Sequence, residues 1–427
     1  MRRSLIGFAV LPFAAATFLA GCGQQRVSGL TPGIAPSTRQ ASAGRSYRLL
    51  YSFGGGGDGY WPQADLLAVS GKLYGTAEEG GLSTCHYGGG CGTVFQVEPS
   101  GNYRVLHRFS GSQHNDGCFP DAGLIEAKGS LYGTTRSCGT LPSNDFGTVY
   151  ELSPSGKERV IYGFATYKDA QEPVADLVEK NGTLYGTTRN GGYSGCYVSE
   201  TCGAMFAVTL SGNEKVLHYF GPGYQEGVLP LTGLTFVKNE LYGTTTRGGA
   251  DGGGAVFKTS TSGSERVVYN FKGGHYSAFP EGQLTLYDGE LYGTADGGAY
   301  GAGTIYAMAP SGKERMIYTF KGLPNDGARP IGRLTVFNGK LYGVTIGGGA
   351  HQCASSGSGC GTVFDVSPSG KESVLYSFAG GMDGEYPYAG LALLNGRLYG
   401  TTRYGGSLGC TTTSGLRGCG TIFSIAP

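Results

Sequence analysis

Asn181-Gly182-Thr183-Leu184-Tyr185-Gly186-Thr187-Thr188 is the stretch that decides the fold. Its centre, Leu-Tyr-Gly-Thr, recurs from Leu73, Leu131, Leu184, Leu241, Leu291, Leu341 (with Val344 in place of the threonine) and Leu398. The spacings are 58, 53, 57, 50, 50 and 57 residues. Three further motifs recur in step with it. Gly-Thr-Val-Phe, or a close variant, starts at Gly92, Gly147, Gly203, Gly254, Gly303, Gly361 and Gly420. A β-branched or aliphatic pair, an aromatic or histidine, and a phenylalanine two residues on end at Phe53, Phe109, Phe164, Phe220, Phe271, Phe320 and Phe378. A proline with leucine four residues later begins at Pro62, Pro120, Pro173, Pro230, Pro280, Pro330 and Pro387. Each motif is short, rich in apolar and β-branched residues and bounded by turn residues, which reads as a strand. Asn181-Gly182, Asp288-Gly289, Asn338-Gly339 and Asn395-Gly396 supply the positive φ of a two-residue hairpin between the first two strands. Pro-Ser-Gly, as at Pro99 and Pro368, makes the turn before the fourth.

The unit is therefore four antiparallel strands. Seven units share the 381 residues from Tyr47 to Pro427, about 54 each, near the length of a propeller blade. The fold class predicted is all-β, a seven-bladed β-propeller of four-stranded antiparallel blades. The domain opens on a fourth-strand motif (Tyr47 to Phe53) and ends on a third-strand motif (Gly420 to Ile425). Pairing these two closes the ring and removes a free sheet edge.

Taken together the pattern runs Phe-x-x-x-x-Asp-Gly, Pro, Leu, Asn-Gly-x-Leu-Tyr-Gly-Thr-Thr-x-x-Gly-Gly, Gly-Thr-Val-Phe, Pro-Ser-Gly. It resembles the GloVer tandem repeat from about Tyr47 to Pro427. That family is called choice-of-anchor, because similar repeat regions carry different surface anchors. The resemblance implies an exported location and no established activity, so it carries over no catalytic residue.

Composition agrees with a repeat rather than with disorder. Glycine is 81 of 427 residues, but the glycines recur with the repeat, and aromatics reach 12 %. Net charge is +1, without the basic excess of a nucleic-acid binder. Arg2 and Arg3 precede an uncharged run from Leu5 to Ala20, the shape of a secretory signal peptide. The run ends in Leu19-Ala20-Gly21-Cys22, which resembles a bacterial lipobox. The sequence thus predicts a lipoprotein signal over 1–22 with Cys22 lipidated, a flexible tether over 23–45 and the propeller over 46–427. Gly23 after the cysteine favours the outer membrane by resemblance to lipoprotein sorting rules. An exported chain with ten further cysteines implies disulfides. The pairs predicted are Cys85–Cys91, Cys196–Cys202, Cys353–Cys360, Cys410–Cys419 and Cys118–Cys138. No pair has structural zinc spacing, so no metal or cofactor is predicted.

The loops after the second and fourth strands lie on one face and are long and variable, so ligand contacts belong there. Three residues after each proline comes a varied position: Asp65, Gly123, Asp176, Gly233, Gln283, Arg333 and Gly390. Five residues after each Leu-Tyr-Gly leucine comes another: Glu78, Arg136, Arg189, Thr246, Asp296, Ile346 and Arg403. Trp61, Tyr388, Tyr60, Phe119, Tyr276 and Tyr386 add rim aromatics. A constant frame with varied polar positions predicts a non-enzymatic binding module for extracellular glycan or protein, monomeric and touching the membrane only through its lipid. The alternative is a glycosidase or lyase using Asp65 with Asp176 or Glu78. A solvated rim of charges is the plainest reading of the same residues. His107 and His218 stand where other repeats have tyrosine and read as structural; Asp58, Asp116, Asp326 and Asp383 read as turn formers rather than calcium ligands.

Overall fold

The computed structural model describes residues 46–82, 85, 89–139, 146–166, 169–192, 194–196, 200–221, 225–273, 277–353, 357–407, 409–410 and 417–427. Of 194–196 and 200–201 it describes the backbone alone. Cys22, the signal peptide, the tether and Tyr276 lie outside these residues. The chain divides into units Met1–Gln40 and Ala41–Pro427. No described helix is long and apolar enough to cross a membrane.

The second unit is a seven-bladed β-propeller of four-stranded antiparallel blades. Blade 1 runs Leu67–Val69, Lys72–Ala77, Thr93–Val97 and Tyr103–Arg108. Blades 2 to 6 repeat that order. Blade 7 takes Ala392–Leu394, Arg397–Thr402 and Thr421–Ile425 from the C-terminus and Arg48–Ser52 from the N-terminus. Arg48 pairs with Ser424 and Ser52 with Thr421, the closure that the split motif order requires.

Hydrophobic cores lie between blades rather than within them. The phenylalanine ending each fourth strand meets the aromatic of the next blade's Gly-Thr-Val-Phe strand edge-on. Phe53 meets Phe95 at 5.5 Å, Phe164 meets Phe206 at 5.1 Å and Phe378 meets Phe423 at 5.2 Å. Such pairs add about 0.5–1.5 kcal/mol beyond burial. The same ring covers the glycine of Leu-Tyr-Gly. A Cβ on Gly186 would stand 2.6 Å from Phe206 and 2.9 Å from Leu177. The motif glycine and the leucine four residues after each proline are thus two sides of one contact.

The glycine opening Gly-Thr-Val-Phe lies under the proline of the following blade. Gly92 has φ 93°, and a Cβ there would stand 2.4 Å from Cδ of Pro120. Gly420 meets Pro62 in the same way across the ring closure, at 2.6 Å. The main first strand begins after the leucine in five of the blades, with short separate ladders at Gly117–Cys118 and Ala170–Gln171 in blades 2 and 3; in blades 5 and 6 pairing reaches back to Ser277–Pro280 and Gly327–Phe337. Proline brings no N–H to the ladder. At Gly123 and Gly390 the amide is bonded instead to a carboxylate of the next blade.

Candidate functional site

The first-strand segments of all seven blades converge on a cavity of about 440 Å³. Of the residues singled out from sequence, Asp65, Glu78, Arg136, Asp176, Arg189, Gln283, Arg333, Tyr388 and Arg403 line it. Trp61 and Asp296 do not line it; they stand beside it.

The ring three residues past the prolines alternates glycine with a reaching side chain. Asp65 Oδ1 accepts the Gly390 N–H and Asp176 Oδ1 accepts the Gly123 N–H, each at 2.6 Å. Gln283 Nε2 donates to the Leu234 carbonyl at 2.7 Å. The three glycines of this ring leave room for these groups; a Cβ on Gly233 would stand 2.9 Å from the Gln283 amide. Arg333 is the member without a glycine before it. Its Nε lies 3.5 Å from Asp65 Oδ2, and it is the most exposed of the set. Burial and the nearby Asp65 push Asp176 up to about 6, against the pull of Arg333 and the Gly123 N–H. This ring stitches neighbouring blades, which the sequence alone did not reveal.

Above it, Glu78 receives Arg403 at 2.8 Å and Arg136 at 3.4 Å. Arg136 also holds Asp121 at 2.7 Å. Burial, then Glu78, pushes Asp121 up to about 7, although both arginines oppose the shift. The Arg403 guanidinium lies 5.8, 5.6 and 5.5 Å from the ring centres of Trp61, Tyr388 and Tyr404. On the opposite wall, Glu281 is pushed up to about 7 by burial and Asp296, against Arg329 and Arg247. On the Glu78 side, three buried polar atoms have no hydrogen-bond partner among the described residues: Trp61 Nε1, Asp121 Oδ1 and Arg403 Nε.

Two further rings were legible in sequence only through the rim aromatics Trp61, Phe119, Tyr386 and Tyr388. Asp121 and Glu281 belong to the position just after each proline, and both line the cavity. The residue before each proline is left-handed in every blade: Trp61, Phe119, Glu172, Leu229, Phe279, Arg329 and Tyr386 have φ between 53° and 60°. Such a conformation costs of order 1–3 kcal/mol per residue unless its surroundings fix it. Here the N–H of each bonds a carbonyl just before the preceding blade's third strand. Trp61 bonds Cys419 at 3.0 Å, Phe119 bonds Cys91 at 2.8 Å, Leu229 bonds Cys202 at 3.0 Å and Tyr386 bonds Cys360 at 3.1 Å. The varied residue ahead of an invariant proline was the signal available in the sequence.

The cysteines at those anchors are bridged. Cys85–Cys91, Cys118–Cys138, Cys353–Cys360 and Cys410–Cys419 are disulfides. Cys202 is also disulfide-bonded, while the side chain of Cys196 lies outside the described residues. In four of the seven blades a bridged cysteine thus fixes the carbonyl that holds the next blade's rim residue.

The Gloeobacter/Verrucomicrobia repeat model matches residues 37–200 and 147–356. Nothing among curated proteins matches the chain. Puromycin hydrolase is similar at 15 % identity over 81 % of this chain and 50 % of that one, with a TM-score of 0.50. This chain therefore spans about half of that protein. The PQQ-bound aldose sugar dehydrogenase of Streptomyces coelicolor is similar at 12 % identity over 90 % of this chain and 99 % of that one, TM-score 0.42. Likenesses at such identities concern the fold alone.

Proposed function

The chain belongs to the Gloeobacter/Verrucomicrobia repeat family, and from that premise we propose an exported, lipid-anchored propeller that holds an extracellular glycan in its central cup without cleaving it. The anchor in this reading is Cys22 in the outer membrane, with residues 23–45 as the tether. One observation carries the binding role. The rim residues that differ from blade to blade are each held in a left-handed backbone, and in four blades the holding carbonyl belongs to a disulfide-bonded cysteine. Fixing varied side chains at such cost favours a surface whose shape must be ready before its ligand arrives. Glycan suits the chemistry. Among the described residues Trp61 Nε1 and Arg403 Nε are donors without a partner, and the buried carboxyl of Asp121 lies on the same side; sugar hydroxyls both accept and donate. Trp61 and Tyr388 beside them offer aromatic faces.

Cleavage is the second reading, favoured by Asp121, Asp176 and Glu281. These hold their protons to about 7, 6 and 7, close to the range a general acid needs. The same assay reads both. The protein is incubated with cell-wall and plant polysaccharides, and bound protein and new reducing ends are measured together. Binding that Trp61→Ala and Arg403→Ala abolish, without new ends, is the expected result. New reducing ends make the protein a hydrolase or lyase. Binding indifferent to both substitutions removes the cup from consideration, and the absence of both signals turns the search to protein partners.

A further inference from the structure

Outside the cup, the outer strands are joined by a polar belt. At several blade junctions the tyrosine of a fourth strand reaches an acid of the loop that follows, beside an acid at the start of the next blade's fourth strand. Tyr162 donates to Asp169 beside Glu214, and Tyr318 donates to Asp326 beside Glu372. At two junctions a histidine stands in place of the tyrosine. Between blades 1 and 2 the group is His107, Asp116 and Glu158. Between blades 3 and 4 it is His218, Glu226 and Glu265. In each, one imidazole nitrogen and two carboxylate oxygens lie within 4.8 Å of one another.

We propose that these two junctions are binding sites for a divalent transition ion of the zinc class. His107 Nε2 stands 3.2 Å from Asp116 Oδ2, and His218 Nε2 stands 2.9 Å from Glu226 Oε2. Ligands on a tetrahedral zinc with bonds of about 2.1 Å are separated by about 3.4 Å, a spacing that the imidazole and its bonded carboxylate already approach. The third carboxylates, Glu158 and Glu265, stand within the same 4.8 Å groups; Glu158 Oε1 is buried and has no hydrogen-bond partner among the described residues, as is also true of Glu214 Oε1 and Glu372 Oε1 at the tyrosine junctions. The rest of each cluster is already oriented. Asp116 accepts Ser110 N, Ser110 Oγ and Gly117 N, and Glu226 Oε1 accepts Gly221 N. The imidazoles stand edge-on against Phe109 at 4.8 Å and Phe220 at 4.9 Å.

The available ligand atom separates these junctions from the tyrosine ones. There the phenols of Tyr162 and Tyr318 are donors to Asp169 and Asp326. An imidazole offers a nitrogen lone pair instead. Nitrogen with two carboxylates suits zinc-class ions better than calcium, which takes six to eight oxygens. The exposure of His107 (19 %) and His218 (20 %) leaves an approach for the ion and room for a water as fourth ligand.

The test is calorimetric titration of the chelator-treated full chain with zinc chloride, with calcium chloride as the control. The wild type is expected to take up two more equivalents of zinc than His107→Tyr/His218→Tyr, a variant built from a residue that the repeat already carries at this register. Each single substitution is expected to remove one equivalent. The proposal is overturned if wild type binds no zinc, or if the double variant binds as much. Should the tyrosine variants misfold, Glu158→Gln/Glu265→Gln gives the same comparison. Cobalt in place of zinc reads the wild type directly: a visible absorption band displaced by zinc supports the sites, and its absence overturns them.

Discussion

The walls between blades and the floor of the central cup are built from the same repeat, yet they treat variation in opposite ways. Each wall reuses one set of contacts: a phenylalanine edge-on to an aromatic, an aromatic over a glycine, a glycine under a proline. At the axis the equivalent position is aspartate in blades 1 and 3, glutamine in blade 5, arginine in blade 6 and glycine in blades 2, 4 and 7. A wall residue is enclosed by two sheets at close-packed density, where even one added methylene is felt. A cup residue has a cavity in front of it, so size and charge can change as long as a neighbouring glycine leaves room. Constancy marks the close-packed contacts between blades, and variation marks the positions that face the open cavity.

The sharpest way to break the comparison is to open a wall. Deleting residues 46–53 removes both the closing strand and Phe53, and cooperative thermal unfolding is expected to vanish; an unaltered melt would disprove closure through Arg48–Ser52. Next in size, Phe257→Ala empties the contact with Phe220 at 5.1 Å. It is expected to cost about 3–5 kcal/mol in denaturant unfolding. A loss below about 1 kcal/mol there would mean that the walls tolerate change as the cup does.

Disulfides lie between the two regions. Replacing Cys410 and Cys419 by serine frees a loop of sequence separation 9, with an expected loss of about 2–3 kcal/mol. Because the Cys419 carbonyl holds the Trp61 N–H, glycan retention should fall more than stability alone explains. Equal falls would separate the bridges from the rim.

The outer belt gives a smaller effect with a definite sign. Burial, then Asp169 and Asp326 respectively, pushes Glu214 and Glu372 up to about 7 from 4.5. The folded chain therefore keeps protons that the unfolded chain has released. Their contribution is fully present below 4.5 and is lost as pH rises through about 7. Glu214→Gln with Glu372→Gln should flatten the fall in melting temperature between about pH 5 and pH 8; a profile as steep as wild type would assign the slope to other groups.

Smallest of all, Asp65→Asn with Asp176→Asn preserves an oxygen for the Gly390 and Gly123 amides. Stability is expected to stay within about 0.5 kcal/mol, measured by denaturant unfolding. A larger loss would move this ring from the cup to the walls.

Much of this was legible in the chain. Proline, glycine and aromatic recur because backbone sterics and close packing impose the same demand in each blade, so strands, turns and the split seventh blade follow from spacing. The near-sequence cysteine pairs follow for the same reason. Asp121 and Glu281 were missed, because the residue after a proline varies in type from valine to tyrosine and has no chemical signature of its own. His107 and His218 were placed in the tyrosine register, but their acid partners Glu158 and Glu265 come from the following blade.

By itself the sequence determined the seven blades, their four strands and the seam that closes them, since these rest on periodicity and turn chemistry, which are local. Only the tertiary structure decided that aspartates at the axis bond the preceding blade, that the residue before each proline is left-handed on the rim, and that bridged cysteines hold four of those residues. The partners in all three cases are separated by tens of residues or by the whole ring. A varied side chain states its chemistry in the sequence; which neighbour it reaches depends on how one sheet packs against the next.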